Sequence, residues 1–178
     1  NALNIHEYFM ITAGAKIKVR DTSFPNLVYG ESGTFKVIGQ VIIHPTDNTP
    51  NATSNWEVGS SQLITWTNKG ALGQVNIRYK HDGGAYSAPL VGCPVAVSDH
   101  TYTWNIPEDV VSQDVKVKIE SVNNPTEEFA ETATAFKLKG KFTLGEPGTL
   151  YSGSSYTITW TQPLGQDARI PGVVLEYY

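Results

Sequence analysis

Cysteine is all but missing from this chain. Cys93 is the only one among 178 residues, so no intrachain disulfide can form. It reads as a small buried hydrophobe, with an interchain bridge or a reactive thiol as the other reading. Charge is also scarce. Charged residues make up 17% of the chain, below the usual quarter, and the net charge is −4. That balance speaks against a nucleic-acid partner. No apolar run is long enough to span a membrane. No segment holds an apolar 3.6-residue period over ten residues, and the only helical candidate is a single turn at Glu108–Ser112. No basic n-region opens the sequence, so an export address for this protein would lie outside it.

Catalytic and metal signatures are missing too. His6, His44, His81 and His100 are scattered, with no metal-ligand spacing. No D-x-D-x-D-G loop occurs, which leaves Asp82, Asp99, Glu108 and Asp109 as isolated candidate oxygens for calcium. Ser60-Ser61 and Ser154-Ser155 lie outside any G-x-S-x-G elbow and read as turn hydroxyls capping backbone groups. The chain is therefore expected to be no enzyme and to carry no cofactor.

What the chain does have is turns and short alternating strands. Sixteen Gly and ten Pro separate runs such as Ala15–Arg20, Gly33–Gly39, Leu63–Trp66, Val75–Tyr79, Thr101–Ile106, Val115–Glu120 and Thr134–Gly140. His81-Asp82-Gly83-Gly84 is the strongest hairpin signal. Period-2 parity puts Ile64 with Trp66, Val75 with Ile77 and Tyr79, and Tyr102 with Trp104 and Ile106 on inward faces. Trp160 takes the same inward parity. Lys16, Lys18, Lys116, Lys118, Lys137 and Lys139 fall on outward faces and are read as keeping strand edges soluble. Seven or so such strands describe an all-β antiparallel sandwich.

The sequence also repeats itself. Trp56-Glu57-Val58-Gly59-Ser60-Ser61-Gln62-Leu63-Ile64-Thr65-Trp66 returns as Leu150-Tyr151-Ser152-Gly153-Ser154-Ser155-Tyr156-Thr157-Ile158-Thr159-Trp160. Val75-Asn76-Ile77-Arg78-Tyr79 returns as Val173-Val174-Leu175-Glu176-Tyr177. Ala15–Arg20 matches Val115–Glu120, Phe35-Lys36-Val37 matches Phe136-Lys137-Leu138, and Asn4-Ile5 matches Asn105-Ile106. The unit is roughly 98 residues, a usual size for an immunoglobulin-like sandwich. Its phase divides the chain in three. Residues 1–39 are the back half of one unit, 40–140 a complete unit, and 141–178 the front half of another. Half a sandwich leaves apolar faces and strand edges open. Completion by another part of an array or by a second copy is therefore expected, with Ala15, Ile17 and Val19 pairing with Val173, Leu175 and Tyr177.

The pattern Trp56-x-x-Gly59-Ser60-Ser61, Ile64-Thr65-Trp66, Val75-x-Ile77-x-Tyr79, Asp82-Gly83-Gly84, Trp104-x-Ile106-Pro107, Val115-x-Val117-x-Ile119 and Thr134-x-Phe136-x-Leu138 resembles a known module. It is similar to the immunoglobulin-like repeat of the Ser-Thr-rich GPI-anchored membrane family of fungal cell-wall and prokaryotic surface proteins. The resemblance implies an extracellular module acting as spacer, scaffold or adhesin, with copies of itself or neighbouring modules as partners and no catalytic residues. A carbohydrate-binding or adhesive role, accessory to a secreted hydrolase, is the alternative. It would place cell-wall polysaccharide on exposed rings, with Trp56 and Tyr86 as the candidate contacts. Asn51-Ala52-Thr53 is a candidate N-glycosylation sequon.

Overall fold

The computed structural model describes residues 11–43, 50, 53–162 and 172–176. Within them the chain is almost wholly β, with no α-helix. In chain order the strands are β1 (Thr12–Ala15), β2 (Lys18–Arg20), β3 (Tyr29–Glu31), β4 (Phe35–Val37), β5 (Gln40–Ile43), β6 (Asn55–Glu57), β7 (Ser61–Lys69) and β8 (Gln74–His81). They continue with β9 (Val95–Ala96), β10 (Thr101–Asn105), β11 (Ser112–Ser121), β12 (Phe129–Glu131), β13 (Phe136–Lys139), β14 (Thr143–Leu144) and β15 (Trp160–Thr161).

Strands β5 to β13 build two sheets. The smaller has the order β10-β7-β5; the larger runs β6-β13-β11-β8-β9, with β12 paired to β11. All pairings are antiparallel except β13 with β6. The alternation read from the sequence decides which side chains meet between the sheets. Ile64 and Trp66 from β7 and Trp104 from β10 face Val75 and Ile77 from β8, Val115, Val117 and Ile119 from β11, and Phe136 and Leu138 from β13. All are buried in one continuous core, which makes this part of the chain a β-sandwich. Trp66 Nε1 donates to the Val97 carbonyl at 2.9 Å. At the expected hairpin turn, Asp82 and Gly83 both have positive φ, 52° and 70°, and the Gly84 N–H donates to the His81 carbonyl, the pattern of a type I′ turn.

Three expectations are corrected. Glu108–Ser112 makes no helix: Glu108 and Asp109 form a turn, and Ser112 already begins β11. The one helical turn among the described residues is a 3-10 turn at Val97–Asp99. Ala15–Arg20 is not one strand but two, interrupted at Lys16 and Ile17. The lysines on β11 and β13 do not guard edges, because each of those strands lies between two neighbours.

The flanks repeat the central pairings. Thr12↔Val37 and Ala15↔Phe35, with a register shift between them, correspond to Ser112↔Leu138 and Val115↔Phe136, which carry the same shift. Lys18↔Glu31, Val19↔Gly30 and Arg20↔Tyr29 correspond to Lys118↔Glu131, Ile119↔Ala130 and Glu120↔Phe129. On the other side, Thr143↔Thr161 and Leu144↔Trp160 correspond to Ile42↔Thr67 and Ile43↔Trp66. The signature glycines match as well. Gly59 (φ 73°) and Gly153 (φ 83°) occupy the same left-handed turn, closed by Ser60 N–H to Glu57 O and Ser154 N–H to Tyr151 O.

Candidate interaction surfaces

The first surface is the connection at Gly39. The Gly39 N–H donates to Glu128 Oε1 at 2.9 Å, and Glu128 is buried. The glycine is needed here because a Cβ would lie 2.3 Å from Leu72 Cδ2, and Leu72 is itself buried. Ile11 packs against the same core from the N-terminal side. Outside this contact, Lys36 Nζ reaches Glu127 Oε1 at 2.7 Å. The passage from β4 to β5 is thus held by side chains on both sides rather than by a free linker.

The second surface is the outer face of the larger sheet. Here β8 and β11 set cations directly opposite one another, Arg78 against Lys118 and Lys80 against Lys116. A glutamate bridges each pair. Glu120 Oε1 accepts from Arg78 Nε at 2.7 Å and its Oε2 lies 2.8 Å from Lys118 Nζ. Glu131 lies 3.0 Å from Lys116 Nζ and 3.6 Å from Lys80 Nζ, and it accepts from the Tyr86 hydroxyl. Burial pushes both carboxyls upward, but hydrogen bonds outweigh it, from Lys118 and Arg78 on Glu120 and from Tyr86 and Lys116 on Glu131. Each is held below its ordinary value. Tyr86 shifts the other way, raised by burial and by its bond to Glu131.

The sign of the carboxylate shifts makes a prediction. A native pKa below the unfolded value means the folded chain binds the proton more weakly. The stabilisation is complete above the ordinary value near 4.5 and is lost as pH falls through the native values. Thermal melts by circular dichroism should therefore show the melting temperature dropping below about pH 4.5. In Glu120→Gln/Glu131→Gln the curve should be flatter in that range and start lower at neutral pH. Parallel curves for the two proteins would remove these carboxylates from the account.

The third surface is apolar. Positions that form the core of the central sandwich are open to solvent in the flanks. Trp66 is 1% exposed and its counterpart Trp160 38%; Ile77 is 0% and Leu175 59%; Ile119 is 0% and Val19 70%. Trp160 therefore has the inward parity read from its strand but is not in a core, because no second sheet covers it among the described residues. Ala15 pairs with Phe35 and Val19 with Gly30, and Val173–Glu176 make no strand ladder.

The candidate glycan contacts are differently engaged. Trp56 is half-buried, edge-on to Trp104 and Phe136 with centroids 6.3 and 5.3 Å away, so it belongs to the core wall. Tyr86 carries Lys80 Nζ 4.7 Å above its ring. Asn51 and Tyr177 lie outside the described residues. Ser60 donates to the Glu57 carbonyl, the backbone capping expected of it, whereas Ser61 donates to the side-chain Oδ1 of Asn105 instead. Cys93 is half-buried, and burial raises its thiol pKa. Among the described residues no group of three or more His, Cys, Asp or Glu could hold a metal ion, and no helix is long and apolar enough to cross a membrane. The bridging role of Glu120 and Glu131 is not legible in the sequence, because Arg78 and Lys80 lie far from them along the chain and both glutamates look like ordinary outward charges. No protein-family model, curated protein or solved structure matches the chain.

Proposed function

We propose that this chain is a structural segment of an extracellular or cell-surface assembly built from tandem immunoglobulin-like sandwiches. The observation that carries the reading is the recurrence of the central pairings on both sides of the central sandwich, with the register shift repeated in the N-terminal flank. A sequence that repeats is common; one that also repeats its hydrogen-bond register supports a repeated fold. The resemblance to the repeat of the Ser-Thr-rich GPI-anchored membrane family supports the surface setting.

The work of such a segment is mechanical. A spacer keeps its shape when successive units cannot hinge freely. At Gly39 the buried Glu128 bond, the Leu72 contact and the Lys36–Glu127 pair all resist rotation. Gly140-Lys141 repeats that passage in sequence.

Antibodies raised against the folded chain test the reading on cells of its source. Immunogold labelling of intact, unpermeabilised cells in a regular surface array is the expected result. Labelling that appears only after permeabilisation overturns it.

A further inference from the structure

We propose that the outer face of the larger sheet binds an acidic polysaccharide, a chain of sugars bearing carboxylate or sulfate groups. The proposal rests on the surface setting read above and adds a partner to it.

The chain carries a net charge of −4, yet its cations are gathered in one place. Strand parity does the gathering. Positions that alternate with the buried Ile77, Val117 and Leu138 point out of the sandwich, and among them are Arg78, Lys80, Lys116, Lys118, Lys137 and Lys139. The N-terminal flank repeats the set. Lys16, Lys18 and Lys36 stand where Lys116, Lys118 and Lys137 do, and Arg20 takes the place of Glu120. Together these are ten of the 13 lysines and arginines in the chain. The smaller sheet is the opposite case. Its outward positions Ser61, Leu63, Thr65 and Thr67 on β7, and Thr101 and Thr103 on β10, carry no charge.

Too few carboxylates share the cationic face to cancel it. In the central unit Glu120 and Glu131 each serve two cations, Glu57 lies on the edge strand β6, and Asp114 sits at the bulge that begins β11. In the flank Glu31 pairs with Lys18. Among the described residues Lys16, Arg20, Lys137 and Lys139 have no ion-pair partner. The bridged lysines are not used up either, because an ammonium has three donors and keeps hydrogens for a second anion. A surplus of cations on one face of an otherwise acidic protein attracts an anionic partner and orients it. The cations recur at alternate residues, about 6.6 Å apart along each strand, so the face is a lattice rather than a pocket. A lattice suits a polymer that repeats its anion.

The rings set among the lysines choose the polymer. Lys118 Nζ lies 4.5 Å from the Phe129 ring centroid, and Lys18 Nζ lies 4.2 Å from that of Tyr29. Phe129 and Tyr29 hold the same position in the repeat, and both are open to solvent, 45% and 56% exposed. A pyranose carries C–H groups on its faces and its anion at the rim. It can lie against such an aromatic side chain while its anion meets the lysine beside it. At a cell surface the polymer with both features is an acidic glycan.

The test is affinity electrophoresis of the whole chain through gels holding polygalacturonate, chondroitin sulfate or neutral dextran at low salt. Relative to dextran, both acidic polymers should retard the chain, and the stronger of the two tells carboxylate from sulfate. Lys137→Gln/Lys139→Gln removes no ion pair and should weaken retention several-fold. Lys69→Gln/Lys141→Gln removes the same charge elsewhere and should leave retention nearly unchanged. Phe129→Ala should weaken binding to polygalacturonate more than binding to polyglutamate, which has the carboxylates without the sugars. Circular dichroism melts check that each variant is folded. No retention on either acidic polymer, equal losses from the two lysine pairs, or an equal effect of Phe129→Ala on both polycarboxylates overturns the proposal. So does tighter binding to single-stranded DNA or to phosphatidylserine vesicles, which would give the face to another class of partner. A chain that decorates intact cells but ignores acidic glycans loses this partner and keeps its surface setting. One that binds them but labels only permeabilised cells keeps the binding face and loses the setting.

Discussion

Trp66→Ala should destabilise the central sandwich by about 3–5 kcal/mol, while Trp160→Ala, the same residue at the same place in the repeat, should leave its melting unchanged within about 0.5 kcal/mol. Trp66 is buried between the sheets, and truncation opens a cavity the rigid strands on either side cannot close. It also removes the indole N–H from the Val97 carbonyl, leaving that carbonyl the longer His100 N–H as donor. Trp160 pairs with Leu144 and is not part of that core. For a unit of about 100 residues each kcal/mol moves the midpoint by about 4–8 °C, so Trp66→Ala should lower it by tens of degrees. Differential scanning calorimetry of the two variants at low concentration decides the matter. Similar shifts for both would mean that the C-terminal flank is part of the same cooperative unit.

The contrast between these two tryptophans shows what the sequence can and cannot carry. Parity along a strand fixes which residues share a face, and Ile64, Trp66, Val75, Ile77 and Trp104 all went inward as read. Turn chemistry was legible for the same local reason, since Asp82-Gly83 and Gly59 need positive φ wherever the chain goes next. Coverage is another matter. Whether an inward-facing residue is buried depends on a second sheet, and Trp160 has the parity without the partner. The outward lysines failed from the same cause. Edge protection by Lys116 and Lys118 depends on strand order, which the sequence does not carry, and β11 is interior. Their partners lie at different distances along the chain: Glu120 is on the same strand as Lys118, but Glu131 reaches Lys116 only because β12 folds back along β11.

Glu120→Ala should cost the central sandwich about 2–4 kcal/mol at neutral pH, although a lone outward glutamate on a strand would ordinarily matter little. The reason is the register beneath it. Arg78 and Lys118 are directly opposed across β8 and β11, and like charges in that position repel. Glu120 holds them together from a nearly covered position, its side chain 8% exposed. Removing it leaves two partly desolvated cations facing each other with no anion between them. Replacing Arg78 with methionine in the same protein should recover a substantial part of the loss, because one of the two opposed charges goes with it. A double-mutant cycle from urea unfolding measures that coupling. Losses that simply add would mean that Glu120 acts through packing alone. Lys80 and Lys116 repeat the arrangement around Glu131, so the same cycle there should give a coupling of the same sign. It should be smaller, because the Lys80 contact is longer and Glu131 is more exposed.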